Sequence, residues 1–261
     1  MSRTTFSWAV STDPGLRRSS NEDSYCTRAD LGLYVVADGM GGHVAGEVAS
    51  RVAVEAIEIF IQETAGADKN RTWPFPFEPA LSLEANRLKA AFRLANRRIA
   101  SAIADSHDLR GMATTASALL TGPDGACVAH VGDSRVYVLR GGQLEQITAD
   151  HSWVEEQVRA GTMTASAARQ HPWRNVVTRA LSGGNDPEID TVELSPARGE
   201  RFLLCSDGLS GVVPHDTIAR ILSGSDGLEA MCEQLIAAAN EGGGPDNITV
   251  LVLEVAGTDA A

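Results

Sequence analysis

Three apolar runs in this chain each end in an aspartate: Leu33-Tyr34-Val35-Val36-Ala37-Asp38, Val128-Ala129-His130-Val131-Gly132-Asp133 and Phe202-Leu203-Leu204-Cys205-Ser206-Asp207. A fourth carboxylate, Asp246, stands just before the run Ile248-Thr249-Val250-Leu251-Val252-Leu253. Short runs rich in Val, Leu and aromatics, bounded by Gly, read as strands buried on at least one face. If those strands are neighbours, their ends gather several acidic groups at one rim. Carboxylates brought that close raise one another's pKa and repel unless a cation sits between them. The two lysines, Lys69 and Lys89, are remote in sequence from all four segments, so a divalent cation is the natural counterion. The pattern points to metal-dependent hydrolysis.

The 261 residues suffice for one large domain, and the 43% hydrophobic fraction for a substantial core. We expect a single domain over 1–261 with its core at about 6–255, because no repeat, low-complexity tract or long linker divides the chain. A net charge of -12 argues against nucleic acid or an anionic membrane surface as partner. Cys26, Cys127, Cys205 and Cys232 are widely spaced with no C-x-x-C, so they read as buried free thiols in a reducing cytosol. Residues 1–5 lack the apolar stretch of a signal peptide, and no run nears the ~18 apolar residues of a membrane span. The expectation is a cytoplasmic protein.

Residues 5–12 and 25–38 read as strands flanking a polar loop at 13–23. Apolar positions Val48, Val52, Ala56, Ile59 and Phe60 recur at helical spacing, giving a core-facing helix over 44–63. A second helix, 82–104, has Ser82 as N-cap and an inward stripe of Leu88, Phe92, Ala95, Ile99 and Ile103. Between them, residues 65–79 carry Pro74, Pro76, Pro79 and the aromatics Trp73, Phe75 and Phe77, an irregular excursion pinned by its rings. Short strands with hairpin signals at 123–125 and 141–142 fill 113–147, and two short helical pieces surround Gly161. Strands near 190–195, 201–206 and 247–255 and helices at 214–223 and 226–241 complete the pattern. Clustered strands with paired helices before and after indicate an α+β class.

Asp-Gly occurs at Asp38, Asp124, Asp207 and Asp226. A turn accounts for Asp124, and a helix cap for Asp226. Asp38 and Asp207 instead close apolar runs, where the following Gly lets the backbone approach a ligand and offer its carbonyl. Such hard oxygen donors suit Mg²⁺ or Mn²⁺. The 13–23 loop sets Arg17 and Arg18 ahead of Glu22 and Asp23. That is either a solvated loop with weak ion pairs, or a guanidinium fork for a phosphate beside a metal cluster.

Taken in order, these segments closely resemble the bacterial form of the metal-dependent protein phosphatases of type 2C. The resemblance runs from about Phe6 to Val255 through Asp13-x-Gly15-x-x-Arg18-x-x-Asn21-Glu22-Asp23, Val36-Ala37-Asp38-Gly39-Met40-Gly41-Gly42-His43 and Gly111-Met112-Ala113-Thr114-Thr115. It continues through Val131-Gly132-Asp133-Ser134-Arg135, Thr148-x-Asp150-His151-Ser152, Ser206-Asp207-Gly208-Leu209 and Gly244-Pro245-Asp246-Asn247-Ile248-Thr249. Each piece alone is weak; all in order are specific.

The resemblance implies a four-layer α-β-β-α sandwich of two mostly antiparallel sheets flanked by helix pairs. It implies two Mn²⁺ or Mg²⁺ ions at one end, bridged by Asp38. Asp207 and Asp246 complete one site; the Gly39 carbonyl and Glu22, directly or through water, serve the other. Asp133 with Asp207 would hold a weaker third ion, Arg18 would grip the phosphate, and Asp23 and Asn247 would orient the ligands. The implied reaction is hydrolysis of phosphoserine or phosphothreonine by direct attack of a hydroxide shared by the two ions, with no phosphoenzyme. Phosphoproteins made by bacterial Ser/Thr kinases are the implied substrates, and a monomer the expected state.

The departures are specific. Met40 stands where some relatives have a histidine proposed as general acid, leaving His43 as a candidate. Ala113 replaces a family glycine, and residues 152–182 correspond to the family's flap, whose His171-Pro172-Trp173-Arg174 faces either substrate or packing. A catalytically silent binding module and a small-phosphoester hydrolase are the competing readings. An aspartyl-phosphate enzyme is disfavoured by Met40, which stands where such enzymes carry a second acid.

Overall fold

The apolar runs are nearly unbroken because their strands are covered on both faces, a pattern that leaves no solvated side to alternate with. The computed structural model describes residues 4–41, 44–66, 72–123 and 125–258. One sheet contains β1 (Thr4–Asp13), β7 (Arg135–Arg140), β8 (Gln143–Gln146), β10 (Arg201–Cys205) and β11 (Ile248–Thr258), in the order β1-β11-β10-β7-β8. The other contains β2 (Asp23–Arg28), β3 (Leu33–Met40), β5 (Ala116–Gly122), β6 (Gly125–Val131) and β9 (Asp190–Leu194), in the order β2-β3-β5-β6-β9, with the short β4 (Ala113–Thr114) on β3. Every pairing between these strands is antiparallel.

Side-chain alternation then assigns the layers. Tyr34, Val36, Leu119, Val128, Phe202, Leu204, Leu251 and Leu253 fill the space between the sheets. Their neighbours Leu33, Val35, Leu120 and Cys127 face α1 (Ala45–Glu63) and α2 (Leu83–Asp105). On the far side Leu203, Cys205, Val250 and Val252 meet α6 (His215–Leu222) and α7 (Leu228–Glu241). Fully burying each such side chain contributes on the order of 1.5–3 kcal/mol, so the layers are held by apolar area above all. The four-layer α-β-β-α sandwich expected from the sequence is the observed architecture. Among the described residues, no helix is long and apolar enough to cross a membrane.

Local chemistry sets the element ends. Ser82 Oγ accepts from Ala85 N at 3.1 Å and caps α2 as expected. Within the irregular 72–79 stretch, Phe75 is buried and Trp73 lies against Phe60 and Phe77, so the rings do pin this excursion to the core. Three expectations need correction. Ile59, expected on the core-facing side of α1, is 51% exposed, because the buried stripe runs through Ala49, Ala53, Ile57 and Phe60. The stretch 25–38 is not one strand but a hairpin, β2 and β3, turning where Leu31 N and Gly32 N bond back to Arg28 O and Ala29 O, with Gly32 at φ 62°. Asp226 does not cap α7, whose N-cap is Gly227; the Asp226 carboxylate accepts from Gln234 Nε2, nearly two turns into the helix.

Within 152–182, α3 (Trp153–Arg159) and α4 (Ala165–Gln170) are followed by an irregular return. Trp153, His171 and Trp173 cluster there, Trp173 meeting the other two rings edge to face, and Trp173 is exposed. A final short helix, α5 (Asp207–Ser210), starts directly on Asp207.

Candidate metal centre

The two sheets each bring acids to the same end of the sandwich. Asp23 and Asp38 are direct cross-strand partners on β2 and β3, on the side that faces the other sheet. Asp133 follows β6, Asp207 follows β10 and Asp246 precedes β11. The 14–22 loop crosses this end from β1 to β2, bringing Arg18 and Glu22 with it.

Asp38 is the centre of the cluster. It is half-buried, and desolvation together with Asp23, Asp207, Asp133 and Asp246 holds its pKa well above the ordinary value. Burial likewise pushes Asp23 and Asp133 up to about 7, and raises Asp207 and Glu22. The Asp38 and Asp207 carboxyls lie close enough to act on each other directly. Carboxyls this close repel each other unless a proton or a cation lies between them. A divalent cation is the chemical solution to such a donor set: hard oxygens, mostly anionic, on the ends of rigid strands. The residues present fit Mg²⁺ or Mn²⁺. Among the described residues, no three acidic, His or Cys side chains are yet drawn into a closed ligand set. Instead Asp246 turns to Arg18, Asp23 to Ser206 and Asp207 to Asp38.

Glycines let the backbone close around this cluster. A Cβ on Gly39 would sit 2.1 Å from the Gly46 carbonyl oxygen and 2.6 Å from that of Glu22, so only glycine allows β3 to touch the first turn of α1. A Cβ on Gly46 would lie 2.0 Å from Glu22 Oε2, which places that carboxylate at the N-terminal end of α1, where the helix dipole favours negative charge.

Asn247 holds the crossing loop. Its Nδ2 donates to Pro14 O at 2.9 Å and Ser20 O at 2.8 Å, while its Oδ1 accepts from Glu22 N at 2.8 Å. Arg18 Nη2 donates to Asp246 Oδ2 at 2.6 Å. The Arg18 side chain is 52% exposed, so the fork sits at the mouth of the cluster and remains open to solvent.

The structure thus gathers Arg18, Glu22, Asp23, Asp38, Gly39, Asp133, Asp207, Asp246 and Asn247 at one end. His43 lies outside the described residues. Several supporting side chains belong to the sequence motifs, but their roles were not legible there. Thr115 Oγ1 accepts from Asp38 N and bonds Ser134 Oγ at 2.5 Å, bracing β3 against the turn that carries Asp133. Ser206 Oγ donates to Asp23 Oδ2 at 2.8 Å and accepts from Thr249 N. Arg135 forks onto Asp150 behind Asp133, with Nη2 at 2.6 Å from Oδ2.

Comparison with known proteins agrees with this arrangement. The sequence model of the family described as Protein phosphatase 2C matches residues 17–248. The serine/threonine protein phosphatase PstP of Mycobacterium tuberculosis is 40% identical over 254 residues, 97% of this chain; the chain spans 45% of that protein's length. The serine/threonine phosphatase stp of Listeria welshimeri is 36% identical over 249 residues, 93% of each chain. A crystal structure of the M. tuberculosis phosphatase superposes with a TM-score of 0.83 at 39% identity, covering 97% of this chain and 99% of that one. A second, of the PstP catalytic domain in complex with two manganese ions, superposes at 0.81 with 37% identity, covering 98% and 100%. The chain belongs to the protein phosphatase 2C family, the metal-dependent phosphatases of the α-β-β-α fold.

Proposed function

We propose that the chain is a single-domain protein serine/threonine phosphatase, with a core at about 6–255, that hydrolyses phosphoserine and phosphothreonine on proteins. The observation that carries this reading is the Asp38–Asp207 carboxyl pair, set among three further acids and fronted by a solvent-open arginine. Asp38, Asp207 and Asp246, with the Gly39 carbonyl and Glu22, would hold two Mn²⁺ or Mg²⁺ ions, and Asp133 with Asp207 a weaker third. Bound there, the ions supply Lewis acidity and positive charge that make water a nucleophile at neutral pH.

The chain's own residues supply the rest. Arg18, already at the cluster mouth, offers a planar fork to the phosphate oxygens and can exchange Asp246 for substrate. Asn247 fixes the loop from which Arg18 and Glu22 project, and Ser206 holds the Asp23 carboxylate beside Asp38. Met40, next to the cluster on β3, has no proton to give, so none of its atoms serves the leaving alkoxide. Proteins phosphorylated by bacterial Ser/Thr kinases are the substrate class, acted on by a cytoplasmic monomer.

The test is hydrolysis of a phosphothreonine peptide by the purified chain. Turnover should require Mn²⁺ or Mg²⁺, stop with chelator and vanish in Asp38→Asn. Inert protein in saturating Mn²⁺ overturns the reading; turnover confined to small phosphate esters redirects it to metabolite hydrolysis.

A further inference from the structure

The residue with the most to say beyond the metal cluster is His151, which lies fully buried between the cluster's back wall and the start of the 152–182 flap. Its backbone N–H donates to Gly132 O at 2.7 Å, and its ring Nδ1 accepts from Gly132 N at 3.0 Å. Both polar groups of Gly132 are therefore taken by one residue. Gly132 has φ 113°, and a Cβ there would lie 2.5 Å from the Thr115 side chain, so this turn accepts no other residue cheaply. The next residue is Asp133.

On its other side His151 holds the flap. Its carbonyl accepts from Thr178 N at 2.8 Å, at the point where the flap returns to the core. Because Nδ1 accepts, the ring proton is on Nε2, which donates to Asp190 Oδ2 at 3.1 Å. Asp190 Oδ1 in turn receives Arg179 Nη1 at 3.4 Å. The flap's exit is thus tied twice to His151: through its backbone carbonyl and, from the ring, through Asp190.

We propose that His151 is a positioning residue that yokes the exit of the flap, Thr178 and Arg179, to the Gly132–Asp133 turn, so that the two open and close as one unit. A flap movement is then transmitted to the Asp133 carboxylate without any contact between flap side chains and an ion. The consequence for metal binding rests on the phosphatase reading; the mechanical coupling does not.

Two conservative variants separate the ring's two nitrogens. His151→Asn keeps an oxygen near Nδ1 to accept from Gly132 and gives up the reach to Asp190. His151→Gln keeps a donor near Nε2 for Asp190 and leaves Gly132 N without its acceptor. Amide hydrogen exchange of the metal-free protein is the first readout. In His151→Gln the Gly132 amide should exchange at least about tenfold faster. The Thr178 amide should speed up with it, although its own bond is to the His151 backbone. His151→Asn, which loses only the Asp190 tie, should speed Gly132 and Thr178 together but by a smaller factor than His151→Gln. The second readout is calorimetric Mn²⁺ titration, in which His151→Gln should weaken the weakest site by about tenfold, the size of outer-shell effects on metal affinity, and leave tighter sites within about twofold.

Faster exchange at Gly132 with an unmoved Thr178 amide would reduce His151 to local packing and overturn the yoke. Should His151→Gln not fold, Asp190→Ala, which frees the ring's far end, is expected to accelerate Gly132 and Thr178 together; acceleration at only one of them overturns the proposal equally. A wild-type protein that binds no Mn²⁺ would refute the phosphatase reading, while the exchange comparison still decides the coupling.

Discussion

Arg18 Nη2 bonds Asp246 Oδ2 at 2.6 Å across 228 residues of sequence, so the arginine proposed to hold phosphate and an acid proposed to hold metal satisfy each other in this structure. The pair is half open to solvent, and exposed pairs are worth roughly 0.2–1 kcal/mol. Divalent ion and phosphate must each win one partner away from it.

Arg18→Ala should therefore have opposite effects on the two ligands. The KM for a phosphopeptide should rise by about tenfold, the cost of losing a bidentate charge-assisted contact. Mn²⁺ affinity should be unchanged or improve by up to about fivefold, because Asp246 loses a competitor. Steady-state kinetics alongside calorimetric titration measures both; weaker Mn²⁺ binding in the variant would contradict this account of the pair.

Asp38→Asn should separate activity from stability. Turnover should drop by at least on the order of 10³, since the central ligand is lost. Yet the metal-free variant should melt higher by about 2–4 °C, because an amide beside four other acids needs no proton uptake on folding, whereas Asp38 does. Thermal unfolding in chelator is the check, and a lower melting point would be inconsistent with crowded negative charge at Asp38.

Asn247→Ala removes three hydrogen bonds that fasten the 14–22 loop. At about 0.5–1.5 kcal/mol each, the loss should total roughly 2–4 kcal/mol, read from denaturant midpoints. Loosening the loop should also raise KM through Arg18 with a smaller effect on the metal held by Asp246. A change below about 0.5 kcal/mol would show that the loop is held elsewhere.

His130 supplies a pH test away from the metals. Burial pushes its pKa down to about 4, against 6.5 in the unfolded chain. As pH falls below 6.5 the unfolded chain takes up this proton and the folded one does not, so stability declines down to about pH 4, by at most about 3 kcal/mol. His130→Gln should flatten that part of the stability profile. The buried acids Asp23 and Asp133 act with opposite sign over the same range but are common to both proteins, so the difference between the two curves isolates His130. Parallel curves between pH 7 and 4.5 would rule this out.

Asp38, Asp133, Asp207 and Asp246 were legible because each flanks an apolar run, and a strand's end must lie at a sheet's rim. Arg18 was legible only through the ordered motifs around it, since a loop arginine by itself has too many ordinary partners. The β2–β3 hairpin was missed because Leu31 continues the apolar pattern across the turn, although Asp30 and Gly32 signalled it. Thr115, Ser134 and Ser206 gave no role in advance: a hydroxyl accepts and donates almost anywhere, and only the meeting of distant segments selects its partner. His151 is a similar case, because its two nitrogens bond groups 19 residues before and 39 residues after it.

The pairing of β1 with β11 runs from Thr4↔Thr258 to Asp13↔Ile248, with one shift of register between Thr5 and Phe6. Asp13 and Ile248 adjoin the acidic end, so Thr4 and Thr258 lie together at the opposite pole, about 30 Å away at the rise of an extended strand. Any polypeptide continuing past either position would start there, behind the enzyme. A tether, reporter or further module joined at that pole would leave the mouth of the acidic cluster unobstructed.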